Sequence, residues 1–570
     1  MKHRTIIILA VLFSTILALI LRLIPLPELW NTGNIIGGPD SWYYLRMIET
    51  LMQNGIQPYA DLFLNYGISQ DMSARFCIYP VFSAALGILS GLQGVELTNL
   101  LCFVPAVFGA LLVPVGYFVG KHYGDRTLGV LTALFIGVAG GELFARTLYG
   151  YTDHHASEIL FSLLFCAAYV GALMKVKEYL QVVEHRIVSR GFWMRIFLPY
   201  ILFYGALSGA ALALALNASI TLLWFGLFAG IFSVLQFIVE LIQRRPWQYL
   251  LWVDALTVGV SALICALAGR WQYTYGTILS YIPGIGGGIP TIIYGSSDKY
   301  DVIAETVSGT FSRGILMFNF GCILALAGFV IVLIAYLRHR RPEHLFLLVW
   351  SVGMFYGTLM HVRWEYFFGV NIAILSAICI WYVVKQARAH DTDKRIRGTL
   401  LLFAVLCSVM FVGLSCYSDV ANARLYIDET QCPDGVFAAC EWLKENTPAT
   451  GDYSVFSWGD YGYQIAAIAD RAVITNAGWG NSGYAAKILL SDDEEYICAQ
   501  LDEKDVRYLL ITEQMASDSW INAYKVYAGD ADADSDTSFI RQLAAGKSFD
   551  FLKPVFEKDG TWIFLYNHCK

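Results

Sequence analysis

The sequence predicts a polytopic α-helical membrane protein with about eleven to thirteen spans and a mixed α/β domain at its C-terminal end. Of its 570 residues, 57% are hydrophobic and 15% charged, where a soluble domain of average make-up carries about 25% charged residues. Long apolar runs fill the chain to about residue 417 and then stop. The net charge of −7 is uneven as well, since from Asp419 onward there are 25 Asp/Glu against 12 Lys/Arg. An acidic tail argues against nucleic acid as a partner. These observations divide the chain into a multi-span part, 1–417, and a soluble part, 418–570.

The opening run, "TIIILAVLFSTILALILRLIPL", exceeds a signal-peptide core and lacks a small-residue cleavage site, so it reads as a retained anchor. Ten further apolar stretches follow, near 98–120, 127–145, 156–174, 197–216, 218–240, 250–268, 314–337, 343–361, 364–384 and 398–417. The stretches 80–97 and 273–295 are apolar but broken by Gly and Pro, and account for the upper end of the range. Basic clusters (Lys2 to Arg4, Lys121 with Arg126, Lys175 to Arg195, Arg244-Arg245, Arg338 to Arg341, Lys385 to Arg397) alternate with loops poor in Lys and Arg. All fall on one side if the N-terminus is cytoplasmic. An odd number of spans then places the tail outside the cell membrane, on the same face as loops 27–97, 146–155 and 269–313. Within the tail, "RAVIT" and "VRYLLIT" read as strands and "GVFAACEWLKEN" as a helix. Twelve cysteines show no metal-ligand spacing. Cys432 and Cys440 can form a disulfide if the tail is exported, although spacing alone does not establish one.

Three outer segments carry acidic residues. Asp40 lies in "GGPDSWYYLRMIE", Asp153 with His154 and His155 in "YGYTDHHASEI", and Glu305 in "SSDKYDVIAETVSG". A carboxylate near hydrocarbon is costly unless paired or hydrated, which makes each a functional candidate. Each also has a plain structural reading. Asp40 can cap a helix beginning at Ser41 or Trp42, Asp153 a helix beginning near His155, and Glu305 can be a solvated loop residue. Converging on one face, they supply the hard oxygens and imidazole suited to Mg²⁺ or Mn²⁺. A divalent ion at a membrane surface points to chemistry on a phosphate-bearing lipid. Arg146, and Arg363 in "HVRWEYFFGVN", are placed to steady such an anion, with snorkelling from a helix end as the alternative. In the tail, "FSWGDYGYQI" groups Trp458, Asp460 and Tyr461 with two glycines. It describes either a small polar pocket with an aromatic wall or a strand and turn with core aromatics.

Taken together, the chain resembles the catalytic subunit of oligosaccharyltransferase, most closely its archaeal branch, over nearly its whole length. The resemblance rests on the order of the acidic first loop, the Asp-x-His turn, the Glu-bearing loop and the tail's "WGDYG". It implies a GT-C type glycosyltransferase that moves an oligosaccharide from a polyprenyl (dolichyl) phosphate or diphosphate to Asn in an Asn-X-Ser/Thr sequon, with inversion. It further implies a Mn²⁺ or Mg²⁺ ion held by Asp40, Asp153, His155 and Glu305, with Asp40 and Glu305 catalytic and His154 a neighbour of the ligands. Arg146 and Arg363 resemble the donor-phosphate arginines. Trp458, Asp460 and Tyr461 resemble the pocket that reads the sequon hydroxyl, and Met515 in "ITEQMASDSWI" resembles a residue beside it, or else packs in the core. The family's partners are a lipid-linked oligosaccharide, an acceptor polypeptide and membrane lipid, and the archaeal type acts as a single subunit. Two departures stand out: Gly459 replaces the family's second Trp, and Asp518 stands where a Lys would suit. A membrane glycosyltransferase with a different acceptor, and a transporter with an external binding domain, are the alternatives. No internal repeat supports the transporter.

Overall fold

A computed structural model describes residues 2–57, 60–67, 70–71, 77–184, 198–280, 309–389, 393–449, 452–478, 481–532 and 535–568. Among these, ten helices are long and apolar enough to cross a membrane, from Arg4–Arg22 to Lys394–Thr430. The shortest has 19 residues, about 28 Å at 1.5 Å per residue, close to the hydrocarbon thickness. The molecule is a multi-pass membrane protein.

Four expected elements differ, each for a local reason. The span expected at 127–145 is two pieces, Arg126–Gly137 and Glu142–Ala145. The first, capped by the Asp125 carboxylate accepting from the Thr127 and Leu128 amides, is about 18 Å long, too short to cross alone. Gly141, at φ +70°, turns the chain between them. The stretch expected at 314–337 breaks at Asn319 (φ +48°) into Phe311–Phe318 and Gly321–His339. The last helix, Lys394–Thr430, has 37 residues and runs through the boundary placed at 417. At about 55 Å it overshoots the hydrocarbon layer and carries the tail away from it. Of the broken apolar stretches, 80–97 contributes to the Ile78–Ser90 helix. The stretch 273–295 begins as Gln272–Gly276 and Thr277–Ser280, the rest lying outside the described residues.

The tail holds a four-stranded mixed sheet in the order Ser454–Phe456, Val506–Thr512, Thr561–Tyr566, Leu552–Lys558. The first pair is parallel and the other two antiparallel. Helix Asp434–Asn446 and strand Val506–Thr512 lie where the sequence placed them. "RAVIT" does not form a strand. Val473 makes only an isolated bridge to Val455, through the Ala472 carbonyl and the Ile474 amide, while on its other side its amide donates to the Phe63 carbonyl (2.9 Å) and its carbonyl accepts from the Tyr66 amide (2.8 Å). The first loop thus takes the hydrogen bonds a sheet neighbour would use. Cys432 and Cys440 are separate buried thiols, whereas Cys498 is disulfide-bonded.

The ends of the helices are tied to the tail by the same loop. The Tyr149 amide donates to the Arg22 carbonyl (2.8 Å) and the Ile36 amide to the Gly150 carbonyl (3.2 Å), so the end of the first span meets the 146–155 turn. The Gly37 amide donates to Thr430 Oγ1 at 3.1 Å, where the last helix ends. Gly37 has φ +101°, and a Cβ there would collide with Ser41 Oγ and the Tyr151 ring. Only glycine allows this approach. Farther on, Arg46 donates to both oxygens of Asp61 (2.8 and 3.0 Å), to Asp470 (3.0 Å) and to the Ala466 carbonyl (2.6 Å). A buried guanidinium with all these acceptors fixes the Gly38–Gln53 helix against the tail.

Candidate active site where the helices meet the tail

The 146–155 turn delivers a compact group of ligating side chains. Ligand atoms of Asp153, His154 and His155 all lie within 4.8 Å of one another. Asp153 is not a helix cap in the usual sense, since its Oδ1 accepts from the adjacent His154 amide (2.5 Å) and faces His154 Nδ1 (2.5 Å). Its Oδ2 is buried, has no hydrogen-bond donor and lies 3.3 Å from His155 Nε2. His154, expected as a bystander, therefore sits inside the group. Burial opposes ionisation of Asp153, yet the imidazoles of His155 and His154 and the Arg146 guanidinium hold its carboxyl below the usual carboxylate range.

Behind this group stands Glu158, fully buried and one helical turn on. Its Oε2 is 2.9 Å from His155 Nδ1 and accepts from the Tyr366 hydroxyl at 2.7 Å. A carboxylate on Nδ1 fixes that nitrogen as the protonated one and leaves Nε2 with a lone pair. In that tautomer the lone pair faces Asp153 Oδ2 at 3.3 Å. Two acceptors at 3.3 Å repel unless a cation sits between, so the donor set fits a divalent ion without further adjustment.

Arg146 is buried beside this group. It donates to Glu142 (3.0 Å) and the Tyr151 hydroxyl (2.7 Å), and its guanidinium lies over the rings of Tyr151 and Tyr366 at 5.6 and 5.8 Å. Glu142 also receives Arg313 (3.0 Å), which donates to Glu365 at 2.8 Å. This run of alternating charges joins the turn to helices Phe311–Phe318 and Glu365–Ala387. Arg363 lies half-buried in the Val362–Trp364 turn, close enough to act electrostatically on Tyr366.

Asp40 is exposed in the first turn of Gly38–Gln53, two residues inside a helix that starts at Gly38, so it does not cap a helix at Ser41 or Trp42. It does not join the ligand group, although it and Asp153 both act electrostatically on the Tyr44 hydroxyl. Glu305 lies outside the described residues.

The tail half of the site begins where strand Ser454–Phe456 runs into the short helix Gly459–Gln464, with Trp458 at its N-cap. The Trp458 side chain hydrogen-bonds the Asp460 carboxyl, and burial pushes that carboxyl up to about 6. The Tyr461 hydroxyl reaches Thr512 Oγ1 (3.2 Å) and Gln514 (3.5 Å). Met515 is fully buried. Trp520, from helix Asp518–Ala528, stacks on Tyr461 with centroids 5.7 Å apart and planes 9° from parallel.

Sequence reasoning missed Glu158, Tyr366, Glu142, Arg313 and Trp520. Glu158 carried a signal, standing three residues after His155 on a helix, the spacing at which side chains meet. The Arg313–Glu365 and Tyr366–Glu158 pairs carried none, because their members are tens to hundreds of residues apart.

A helical bundle whose broken span delivers the ligand group beneath a docked α/β tail is the architecture of a membrane-embedded glycosyltransferase. The same fold occurs in AglB, the archaeal oligosaccharyltransferase from Archaeoglobus fulgidus, solved with an inhibitory peptide and a dolichol-phosphate (TM-score 0.81, 18% identity, 98% of this chain and 80% of that one). An oligosaccharyltransferase of the same organism, solved with Zn and sulfate, matches with a TM-score of 0.73 at 19% identity, over 92% of this chain and 70% of that one. By sequence, residues 9–431 match the family described as oligosaccharyl transferase STT3, N-terminal, and the chain belongs to that family. Among curated relatives, dolichyl-phosphooligosaccharide-protein glycotransferase 3 of A. fulgidus is 23% identical over 95% of this chain and 72% of its own length. The chain is accordingly a glycosyltransferase, an oligosaccharyltransferase by family.

Proposed function

We propose that this enzyme transfers an oligosaccharide from a polyprenyl (dolichyl) phosphate or diphosphate to the side-chain amide of Asn in Asn-X-Ser/Thr sequons, with inversion at the anomeric carbon, and that it works as a single subunit. One observation carries the donor half of the reading: buried ligand atoms of Asp153 and His155 face each other across 3.3 Å, within a group whose members all lie within 4.8 Å of one another, with His155 Nδ1 held by Glu158. Asp153 and His155, joined by Asp40 and Glu305, would hold Mn²⁺ or Mg²⁺. When bound, such an ion offsets charge building on the leaving phosphate.

The remaining work falls to the chain's own groups. Arg146 and Arg363 hold the donor's phosphate by charge-assisted hydrogen bonds. An amide nitrogen is a poor nucleophile because its lone pair is delocalised into the carbonyl. Asp40 and Glu305 each accept one of its N–H groups, which favours a twisted, less conjugated amide and leaves the nitrogen able to attack. Asp460 accepts from the hydroxyl two residues after the Asn, while Trp458 and Tyr461 exclude water from that bond. A buried polar acceptor left unpaired by the wrong side chain gives strong rejection.

The reading places the N-terminus in the cytoplasm and the tail outside. Its supports are the basic loops and the Cys498 disulfide, a bond that persists in oxidising compartments.

The test incubates the purified chain with lipid-linked oligosaccharide, Mn²⁺ and a fluorescent Asn-X-Thr peptide, beside Asp40→Ala protein and a peptide with Gln for Asn. Glycopeptide formed only by the intact pair is the expected result. Absence of product with several donors, under conditions where a control enzyme is active, would sink the assignment of the acceptor.

A further inference from the structure

Position 459 holds glycine where the family pattern has a second tryptophan, and the backbone has closed over the place. A Cβ on Gly459 would stand 3.3 Å from both the carbonyl carbon and the oxygen of Asn476. Asn476 in turn donates to the Leu64 carbonyl, which locks that backbone to the first loop. A side chain at 459 would therefore crowd this backbone, which would have to give by a few tenths of an ångström.

Aromatic surface reappears on the other flank. In helix Asp518–Ala528, Trp520, Tyr524 and Tyr527 recur at i, i+4 and i+7 and so form one stripe. All three rings meet Trp458, with centroids 6.3, 4.6 and 5.5 Å away. Tyr524 is fully buried and its hydroxyl donates to the Met515 carbonyl at 3.1 Å, so it serves the core. Trp520 differs. It is half-buried, it touches Trp458 on one side, and it lies flat on Tyr461 on the other. It therefore bridges the two aromatics that flank Asp460 in sequence, and keeps part of its indole accessible.

We propose that Trp520 is a specificity-determining residue, the second aromatic wall of the hydroxyl-reading pocket in place of the tryptophan missing at 459. The proposal rests on the reading that Trp458, Asp460 and Tyr461 hold the acceptor's Ser or Thr. Its apolar face packs against the acceptor side chain two residues after Asn, so a threonine gains more from it than a serine. One methyl group in an apolar pocket is worth roughly tenfold or more in discrimination.

The experiment measures transfer by the full-length enzyme to Asn-X-Thr and Asn-X-Ser peptides at varied peptide and donor concentrations, for wild type, Trp520→Ala, Trp520→Phe and Gly459→Trp. Trp520→Ala is expected to raise the peptide KM by about tenfold for Thr and by less for Ser, with kcat and donor KM unchanged. Trp520→Phe should retain most of the wild-type preference. Gly459→Trp should fail to rescue Trp520→Ala, because the Asn476 backbone crowds a side chain at 459. A melting curve of each variant separates lost folding from lost binding; if Trp520→Ala melts early, Trp520→Phe and Trp520→Leu replace it. Failure of wild type on both peptides would overturn the sequon reading itself. A wild type that transfers, with a Trp520→Ala peptide KM and Thr/Ser ratio unchanged, would overturn the role of Trp520 alone. So would a loss in which kcat and donor KM move together with peptide KM.

Discussion

At the membrane end of the site every charge answers another charge, whereas in the tail a single carboxyl sits among rings. Asp153, His154, His155 and Glu158 form a connected run of contacts between 2.5 and 3.4 Å, and Arg146 pairs with Glu142 at 3.0 Å. Asp460 has the Trp458 side chain and otherwise aromatic walls. The first arrangement holds its groups rigidly before a substrate arrives, as stabilising charge in a transition state requires. The second leaves an acceptor partly unsatisfied, as recognising an incoming hydroxyl requires. On the proposed function, one half serves chemistry and the other selection.

Several substitutions test that contrast. The largest effect is expected for Asp153→Ala, which removes the oxygen facing His155 and should lower kcat/KM on the order of 10³-fold, since several kcal/mol of charge stabilisation are at stake. The peptide KM should stay put; a change confined to KM would erase the distinction between the halves. Next is Arg46→Ala, which strands Asp61 in a buried site. Breaking a buried pair costs about 3 kcal/mol or more. Faster amide exchange is expected in 60–67 and 466–473, and unchanged exchange there would show that the loop and tail do not depend on this residue.

Glu158→Gln keeps the shape but weakens the fix on His155 Nδ1. Affinity for Mn²⁺, read by the spin resonance of the free ion, should fall about 10- to 100-fold, the usual cost of losing such a partner. Retained affinity would mean that His155 is oriented by packing alone.

The smallest effect is the pH response of the tail pocket. Burial holds Asp460 at about 6, so below that pH the carboxylate proposed to accept the hydroxyl is progressively lost. Peptide KM should rise about tenfold per unit of pH below 6, and Asp460→Asn should flatten that limb. The sign for stability is the reverse. A carboxyl whose folded value exceeds its unfolded value of 3.8 contributes most below 3.8, and that contribution is lost as pH rises through 6. The variant should therefore raise the melting temperature of the tail at pH 8 relative to pH 4.

Apolar run length, the acidic tail and the short-range motifs were legible in the chain itself, because hydropathy and i, i+3 or i, i+4 spacing are properties of neighbours in sequence. Hence the bundle, the Asp434–Asn446 helix, the Val506–Thr512 strand and the Asp-His-His turn could be placed without coordinates. Tertiary packing alone decided the rest. The helix break at Gly141 is an instance, since a glycine inside an apolar run does not announce whether the chain turns there. "RAVIT" has the composition of a strand, yet it makes only a bridge to Val455, and the Val473 amide and carbonyl bond to residues 63 and 66, some 400 positions earlier. Glu158 orients His155 only because Tyr366 arrives from a distant helix to share the carboxylate. Trp520 becomes a wall of the pocket only because helix Asp518–Ala528 folds back over Tyr461. Sequence specifies which groups are available and how neighbours pair, whereas the geometry of a site assembled from remote segments is set by close packing between them.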